Sequence, residues 1–280
     1  MAETDEERQK MTRREFIKTS SAVGAGIALS SYSALAKQEG EEEPEMSGPF
    51  KLRTLGRTKL RVTELSFGGI QIRDVALLHA AIDKGINLIH TAPGYGGGRS
   101  IKIYGEVMKT KRDKVFLGLK EAPRSDKVEE ALKTLNTDHV DILFPPLHNV
   151  KAMSNPDLPG AYEKLKKEGK IRFSGFACHS NMADVMKKAI ELGFFDVMLV
   201  RYNMRNMAEL APILAEAKEK QNMGFMAMKV VNDLSKNRAD EIPKALKDTI
   251  KNKNVDTLLI GMANFDDLNT NVDALAVKGL

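Results

Sequence analysis

NLIHTAPGYGGGRS, residues 87–100, passes through three kinds of local structure in one short run. Leu88-Ile89 reads as the end of a buried strand. A Pro/Gly-rich turn follows, holding His90 and Tyr95, and a helical pattern opens after Arg99. Reactive side chains at a strand's C-terminal end, beside a glycine loop, mark the place where an α/β enzyme keeps its chemistry.

The same alternation extends in both directions. Candidate strands fall at 65–69, 88–91, 115–120, 141–147, 173–178, 197–202, 224–230 and 257–262. Helical patterns lie between them at 74–84, 101–109, 126–135, 158–167, 183–192, 207–221 and 239–251, and a last one opens near Asp266. Runs such as VFLGL and VMLV are apolar throughout, as strands buried on both faces must be. Ser125-Asp126 and Asn155-Pro156-Asp157 stand where helix N-caps belong, and Gly85, Gly169, Gly193 and Gly224 follow helices as C-terminal caps. The pattern predicts an α/β fold, a parallel (β/α)8 barrel over residues 50–280. LGRTKLRV, around Gly56-Arg57-Thr58, predicts a small β-hairpin ahead of it. The rival is an open doubly wound sheet. Against it, the glycine run at 94–99 fails the G-x-G-x-x-G pattern at its last position and does not follow the first strand.

Composition narrows the function. At 42% hydrophobic and 29% charged residues, the chain has material for a large core. Its net charge of +5 is spread among acidic residues, as in KLKKEGK and EAKEKQ. Such runs are solvated helix faces, not a nucleic-acid stripe. The single cysteine, Cys178, excludes an intrachain disulfide.

The N-terminal residues set an expectation about compartment. TRREFIK (12–18) precedes a mildly apolar, small-residue segment at 20–34, and Ala34-Leu35-Ala36 has the form of a cleavage site. The segment resembles a twin-arginine signal peptide, with Arg13-Arg14 as the pair. The resemblance implies a signal over 1–36, the twin-arginine export machinery as a partner, and a periplasmic or extracellular mature protein starting near Lys37. The apolar part is too short for a stable membrane span. The acidic stretch 37–49 reads as a disordered linker.

A (β/α)8 barrel gathers its C-terminal strand ends at one mouth. This chain sends His90, Tyr95, Lys120 and His148 there, then Cys178-His179-Ser180-Asn181, Arg201-Tyr202-Asn203 and Lys229. Three of its five histidines are in that set; His79 and His139 are not. A Tyr, a Lys and a His together can form a proton donor. Phenol has a pKa of about 10, and a neighbouring ammonium favours phenolate. A His can then orient a carbonyl oxygen while hydride arrives at carbon.

These motifs, in this order, resemble the aldo-keto reductase family over nearly all of the chain after residue 50. LGRTKLRVTELSFGG is similar to the family's hairpin and first strand, and NLIHTAPGYGGGRSIKIYGEVM to its second-strand motif. VFLGLK and DILFPPLH resemble the strands that supply a catalytic Lys and His. IRFSGFACHSN, VRYN and GFMAMKV fit strands five to seven, and LLIGMANFDDLNTNV fits the cofactor segment. The resemblance implies Tyr95 as proton donor, Lys120 as the charge that lowers its pKa, and His148 as the group orienting the carbonyl of a small carbonyl or alcohol substrate. It further implies a nicotinamide cofactor, NADP or NAD, bordered by Asn181, Tyr202, Lys229, Gly261, Met262 and Asn271.

Several positions depart from the family pattern. His90 stands where the family has an Asp that pairs with the Lys. Ala177-Cys178 replaces Ser-Asn, Leu199 replaces Gln, and no Arg or Lys lies between Gly261 and Asn271 to hold a 2′-phosphate. Two other readings use the same residues: a non-catalytic barrel that binds a ligand or partner at its mouth, and a metal-dependent enzyme with His90 and His148 as ligands.

Overall fold

The computed structural model describes residues 45–232, 234 and 240–277. The signal-like segment and linker residues 37–44 lie outside these residues, as does Ala239, where the penultimate helix is expected to start.

Three short antiparallel strands come first: β1 (Met46–Ser47), β2 (Phe50–Thr54) and β3 (Arg61–Thr63). β1 falls within the stretch expected as linker. Glu45 is also held there, its carbonyl accepting the Leu52 N–H and its carboxylate pairing with Arg61. Eight parallel strands follow: β4 (Leu65–Gly68), β5 (Leu88–Thr91), β6 (Phe116–Leu119), β7 (Val140–Leu143), β8 (Ile171–Cys178), β9 (Val197–Arg201), β10 (Gly224–Met228) and β11 (Thr257–Gly261). They close into a barrel because β11 pairs with β4, from Leu258 opposite Leu65 to Gly261 opposite Gly68. An open doubly wound sheet is thereby excluded.

The helices are α1 (Val75–Asp83), α2 (Arg99–Lys111), α3 (Ser125–Leu135), α4 (Val150–Met153), α5 (Asp157–Lys167), α6 (Met182–Leu192), α7 (Met207–Gln221), α8 (Glu241–Ile250) and α9 (Phe265–Leu275). The single-turn α4 is too short to show periodicity, and sequence reading passes over it. Ser125 is not a cap: it is the first residue of α3 and its hydroxyl bonds Glu168. Asn155 does serve α5, accepting the Asp157 N–H at 3.0 Å. After α7 the left-handed cap is Asn222, at φ 46, and Gly224 opens β10 instead. β7 stops before the expected 147 because Pro145 and Pro146 bring no N–H to the ladder.

Strand parity divides the apolar residues into two cores. Leu88, Ile142, Phe144, Val197, Leu199, Met226 and Leu259 fill the barrel, and Leu55, Leu60 and Val62 of the hairpin segment join them from below. Residues of opposite parity, such as Phe67, Leu117, Phe176 and Phe225, pack outward against the helices. The bottom is also tied by carboxylates. Asp141, Asp196 and Asp256 each precede or open a strand, and each accepts a backbone N–H from the neighbouring strand, at 2.8 Å from Leu117, 2.9 Å from Ser174 and 2.8 Å from Phe225. Each also pairs with bases: Arg112 and Arg172, Arg57 and Lys166, and Lys218.

Gly56 makes the tightest approach in the plug. Its φ is +47, and a Cβ there would overlap the backbone of Asn222, Met223 and Gly224. Gly56→Ala is therefore expected to destabilise the protein by about 3 kcal/mol, from left-handed strain together with the backbone clash. Urea unfolding monitored by circular dichroism measures this; a loss near zero would mean that the plug does not hold the barrel shut.

Candidate active site

The register of β5 creates the space in which His90 sits. His90 lies opposite Gly68 on β4 and opposite Gly118 on β6. With no side chain on either flank, the imidazole turns into the barrel and meets Phe144 edge-on, ring centres 5.6 Å apart. Its own carbonyl is held by the Gly69 N–H at 2.8 Å and the buried Tyr104 hydroxyl at 3.0 Å. His90 is 2% exposed, and its Nε2 has no hydrogen-bond partner among the described residues. Burial first, and then the charge of Lys120, push its pKa down to about 3. The imidazole is neutral at any ordinary pH.

Tyr95 opens the glycine turn. Gly96 and Gly97 there are left-handed, at φ 59 and 64, which swings the chain from β5 into α2. The Tyr95 ring lies 6.0 Å from that of His90, and Lys120 Nζ lies 5.9 Å from the Tyr95 ring centre. The sequence leads one to expect a phenol whose pKa is lowered by Lys120. In the structure the balance runs the other way, and burial raises it. Lys120 follows β6, with its N–H bonded to the Thr91 carbonyl at 2.8 Å. Burial and then the charge of Lys229 lower its own pKa. Lys120 has no carboxylate partner among the described residues.

His148 comes after the two prolines that end β7. Its ring lies 4.1 Å from that of His179, and its Nδ1 accepts the His179 N–H at 3.5 Å. Asn181 Nδ2 donates to the His148 carbonyl at 2.9 Å. Burial, followed by Lys120 and Lys229, lowers the pKa of His148. Burial and then Lys229 bring that of His179 to about 4.

A cleft of about 610 Å³ opens beside this group. Its walls include Tyr95 and His90, Lys229 after β10, Gly261 at the end of β11 and Asn271 in α9. Asn271 is 4% exposed; its Nδ2 donates to the Asp267 carbonyl at 2.7 Å while its Oδ1 has no partner. Tyr202 and Met262, also expected at the cofactor, instead face the core between barrel and helices. The Tyr202 ring meets Phe225, and its hydroxyl accepts from Asn252 at 3.0 Å. Cys178 faces that core too; burial pushes its thiol up to about 11, which makes it unreactive. Among the described residues, no group of three or more His, Cys, Asp or Glu side chains is placed to hold a metal ion. Sequence reading missed Gln71, Asp266 and Asp267, which also line the cleft. Gln71 gave a usable signal, since it follows the Gly-Gly at the end of the first barrel strand.

Residues 71–278 match the family model for the aldo/keto reductase family. The chain belongs to the aldo/keto reductase family. This aldo/keto reductase is 27% identical over 189 residues to an uncharacterized oxidoreductase of Bacillus subtilis, a match covering 59% of this chain and 60% of that protein. The chain thus spans less than two thirds of that relative. It is 26% identical over 284 residues to L-galactose dehydrogenase of Arabidopsis thaliana, covering 80% of this chain and 88% of that one. Among solved structures it is similar to an aldo/keto reductase of Klebsiella pneumoniae in complex with NADP and acetate. That likeness has a TM-score of 0.62 at 19% identity, over 80% of this chain and 90% of that one.

The buried neutral His90 has a thermodynamic signature. Unfolded, it takes up a proton near pH 6.5; folded, it does so only near pH 3. Between those values the unfolded chain binds the extra proton, so folding stability falls as pH drops, by up to about 1.4 kcal/mol per pH unit for this one site. Urea unfolding at pH 6.5, 5 and 4 is expected to show that slope, and His90→Asn to remove about one proton's share of it. An unchanged slope in the variant would show that His90 is not buried neutral.

Proposed function

We propose that this aldo/keto reductase moves a hydride between a nicotinamide nucleotide and a small carbonyl or alcohol substrate, with Tyr95 handling the proton. The observation that carries the reading is the pair of orphaned buried polar atoms in one cleft, His90 Nε2 and Asn271 Oδ1. Buried polar atoms without partners are rare in a finished fold, and a polar ligand in the cleft supplies what they lack. The names of the Arabidopsis relative and of the NADP-bound Klebsiella enzyme support the same class.

The bound nicotinamide supplies or accepts the hydride; the chain's residues do the rest. Tyr95, with its pKa raised, keeps its proton at neutral pH and can give it to a carbonyl oxygen. Lys120 stands beside the ring with no carboxylate to offset it, so its charge acts on the phenolate left behind. His148 is uncharged and can hold the carbonyl by a hydrogen bond without repelling Lys120. His90 in place of a carboxylate keeps the inner wall neutral. Asn271, Gly261 and Gln71 border the nucleotide's part of the cleft. The first turn of α9 there carries Asp266 and Asp267, which repel a 2′-phosphate and can accept a bond from a ribose hydroxyl. NAD(H) therefore fits this chain better than NADP(H).

Calorimetry on the purified chain is expected to give NADH a Kd at least about tenfold below that of NADPH, the loss expected from like charges meeting. Binding of neither nucleotide would sink the hydride-transfer reading and leave the ligand-binding barrel. Tyr95→Phe is expected to lower kcat by roughly 10²–10⁴-fold while the NADH Kd holds within about threefold. Because the phenol titrates above its usual range, reduction should persist to pH 9, and alcohol oxidation should keep rising over the same interval. A reductive rate that fell away near pH 7 would assign the proton to another group.

We also propose that residues 1–36 direct export by the twin-arginine route, on the strength of Arg13-Arg14, the segment 20–34 and Ala34-Leu35-Ala36. Replacing both arginines with lysine is expected to keep the chain in the cytoplasmic fraction. Unchanged export of that variant would remove the proposal.

A further inference from the structure

Lys229 is a residue for which the mechanism above has no use. It follows β10 and lines the same cleft as Tyr95 and His90. Its backbone is left-handed, at φ 57, a conformation a lysine holds only where its surroundings impose it. Asn203, itself 1% exposed, helps fix it by donating from Nδ2 to the Lys229 carbonyl at 3.1 Å. A strained backbone, pinned from behind, thus presents an ammonium at the cleft.

Among the described residues that ammonium has no ion-pair partner. The same holds for Lys120, whose Nζ lies 5.9 Å from the ring centre of Tyr95, which lines the cleft together with Lys229; the charge of Lys229 lowers the pKa of Lys120. Other polar groups at this end include His148 and His179, neutral rings tilted 45° to each other, and the unpartnered Nε2 of His90. The cleft's carboxylates, Asp266 and Asp267, belong to the first turn of α9 and pair with neither lysine. Two half-buried ammonium groups without a counter-ion repel each other, and an anion placed between them relieves that cost.

We propose that Lys229 and Lys120 form an anion-binding pole of the active site, and that the substrate is a small carbonyl compound bearing a carboxylate, or the matching hydroxy acid. Turnover of such a compound rests on the hydride-transfer reading; binding of its carboxylate does not. Lys229 binds and orients, holding the acid group so that the neighbouring carbonyl faces Tyr95. A neutral aldehyde enters the same cleft without that contact.

The test compares matched substrates on the full chain with NADH. Glyoxylate and succinic semialdehyde are set against propanal and butanal, and glyceraldehyde 3-phosphate against glyceraldehyde. The carboxylates are expected to exceed their neutral partners in kcat/KM by at least about tenfold. Lys229→Met should cut that ratio at least about tenfold, chiefly through KM, and Lys229→Arg should keep most of it. Equal kcat/KM for charged and neutral members, or an unchanged ratio in Lys229→Met, would overturn the proposal. A preference confined to the phosphate ester would overturn the carboxylate assignment. If no substrate turns over with either nucleotide, the hydride reading fails by itself. Calorimetry with pyruvate against acetone then decides the pole: binding of pyruvate that is lost in Lys229→Met sustains it, and absence of binding overturns it.

Discussion

Every functional side chain in this protein takes its place from the ring of parallel hydrogen bonds that joins β11 back to β4. Closure fixes the register, and the register decides which residues share a layer inside the barrel. At the top layer it puts Gly68 and Gly118 on either side of His90. Gly118 and Gly175 then leave room for Phe144, since a Cβ at either would press on that ring. The imidazole is buried because three strands agree on where to omit a side chain. Its depressed pKa follows first from that packing, and the charge of Lys120 adds to it.

The same ring separates charge along the barrel axis. At the bottom, Asp141, Asp196 and Asp256 each join a backbone N–H of one strand to a basic side chain from a helix, a strand end or the hairpin. At the top, Lys120 and Lys229 have no ion-pair partner among the described residues. The carboxylates tie strands to bases at the bottom, and the amines at the top are the groups the proposed anion would meet. His90 matters to this division: a carboxylate at its position would neutralise Lys120 and remove half of the imbalance.

Much of this was legible in the sequence because it depends on local patterns. Apolar strands bounded by capped helices gave the barrel, and the polar residues at strand ends gave Tyr95, Lys120, His148 and Lys229. What escaped depends on parity and on competition. Tyr202 and Met262 follow strands whose inward positions are Leu199 and Leu259, and their opposite parity sends them to the outer core. The direction of the Tyr95 shift was missed because burial and a nearby cation oppose each other, and only the structure shows which prevails. Gly224 looked like a helix cap by position, but Asn222 had already reversed the chain. Asp266 and Asp267 read as an ordinary helix first turn until the cleft reached them.

The plug beneath the barrel has a consequence for synthesis. Arg53 bonds the carbonyl of Val255, 202 residues further along, and Arg57 reaches Gly193, 136 residues away. The Val277 N–H, almost at the end of the chain, bonds back to Pro49. The hairpin emerges early from the ribosome; Asn87 soon follows to bond Arg61 and Thr63, but the partners of Arg53 and Arg57 emerge late. Its apolar face, with Leu55, Leu60 and Val62, is fully covered only once Met226 and Leu259 join the same cluster. Non-local pairings of this kind form slowly and leave sticky surface exposed while they wait. The nascent chain therefore has to carry an open floor until its last helices arrive, and the earliest-made part of the barrel is among the last to settle.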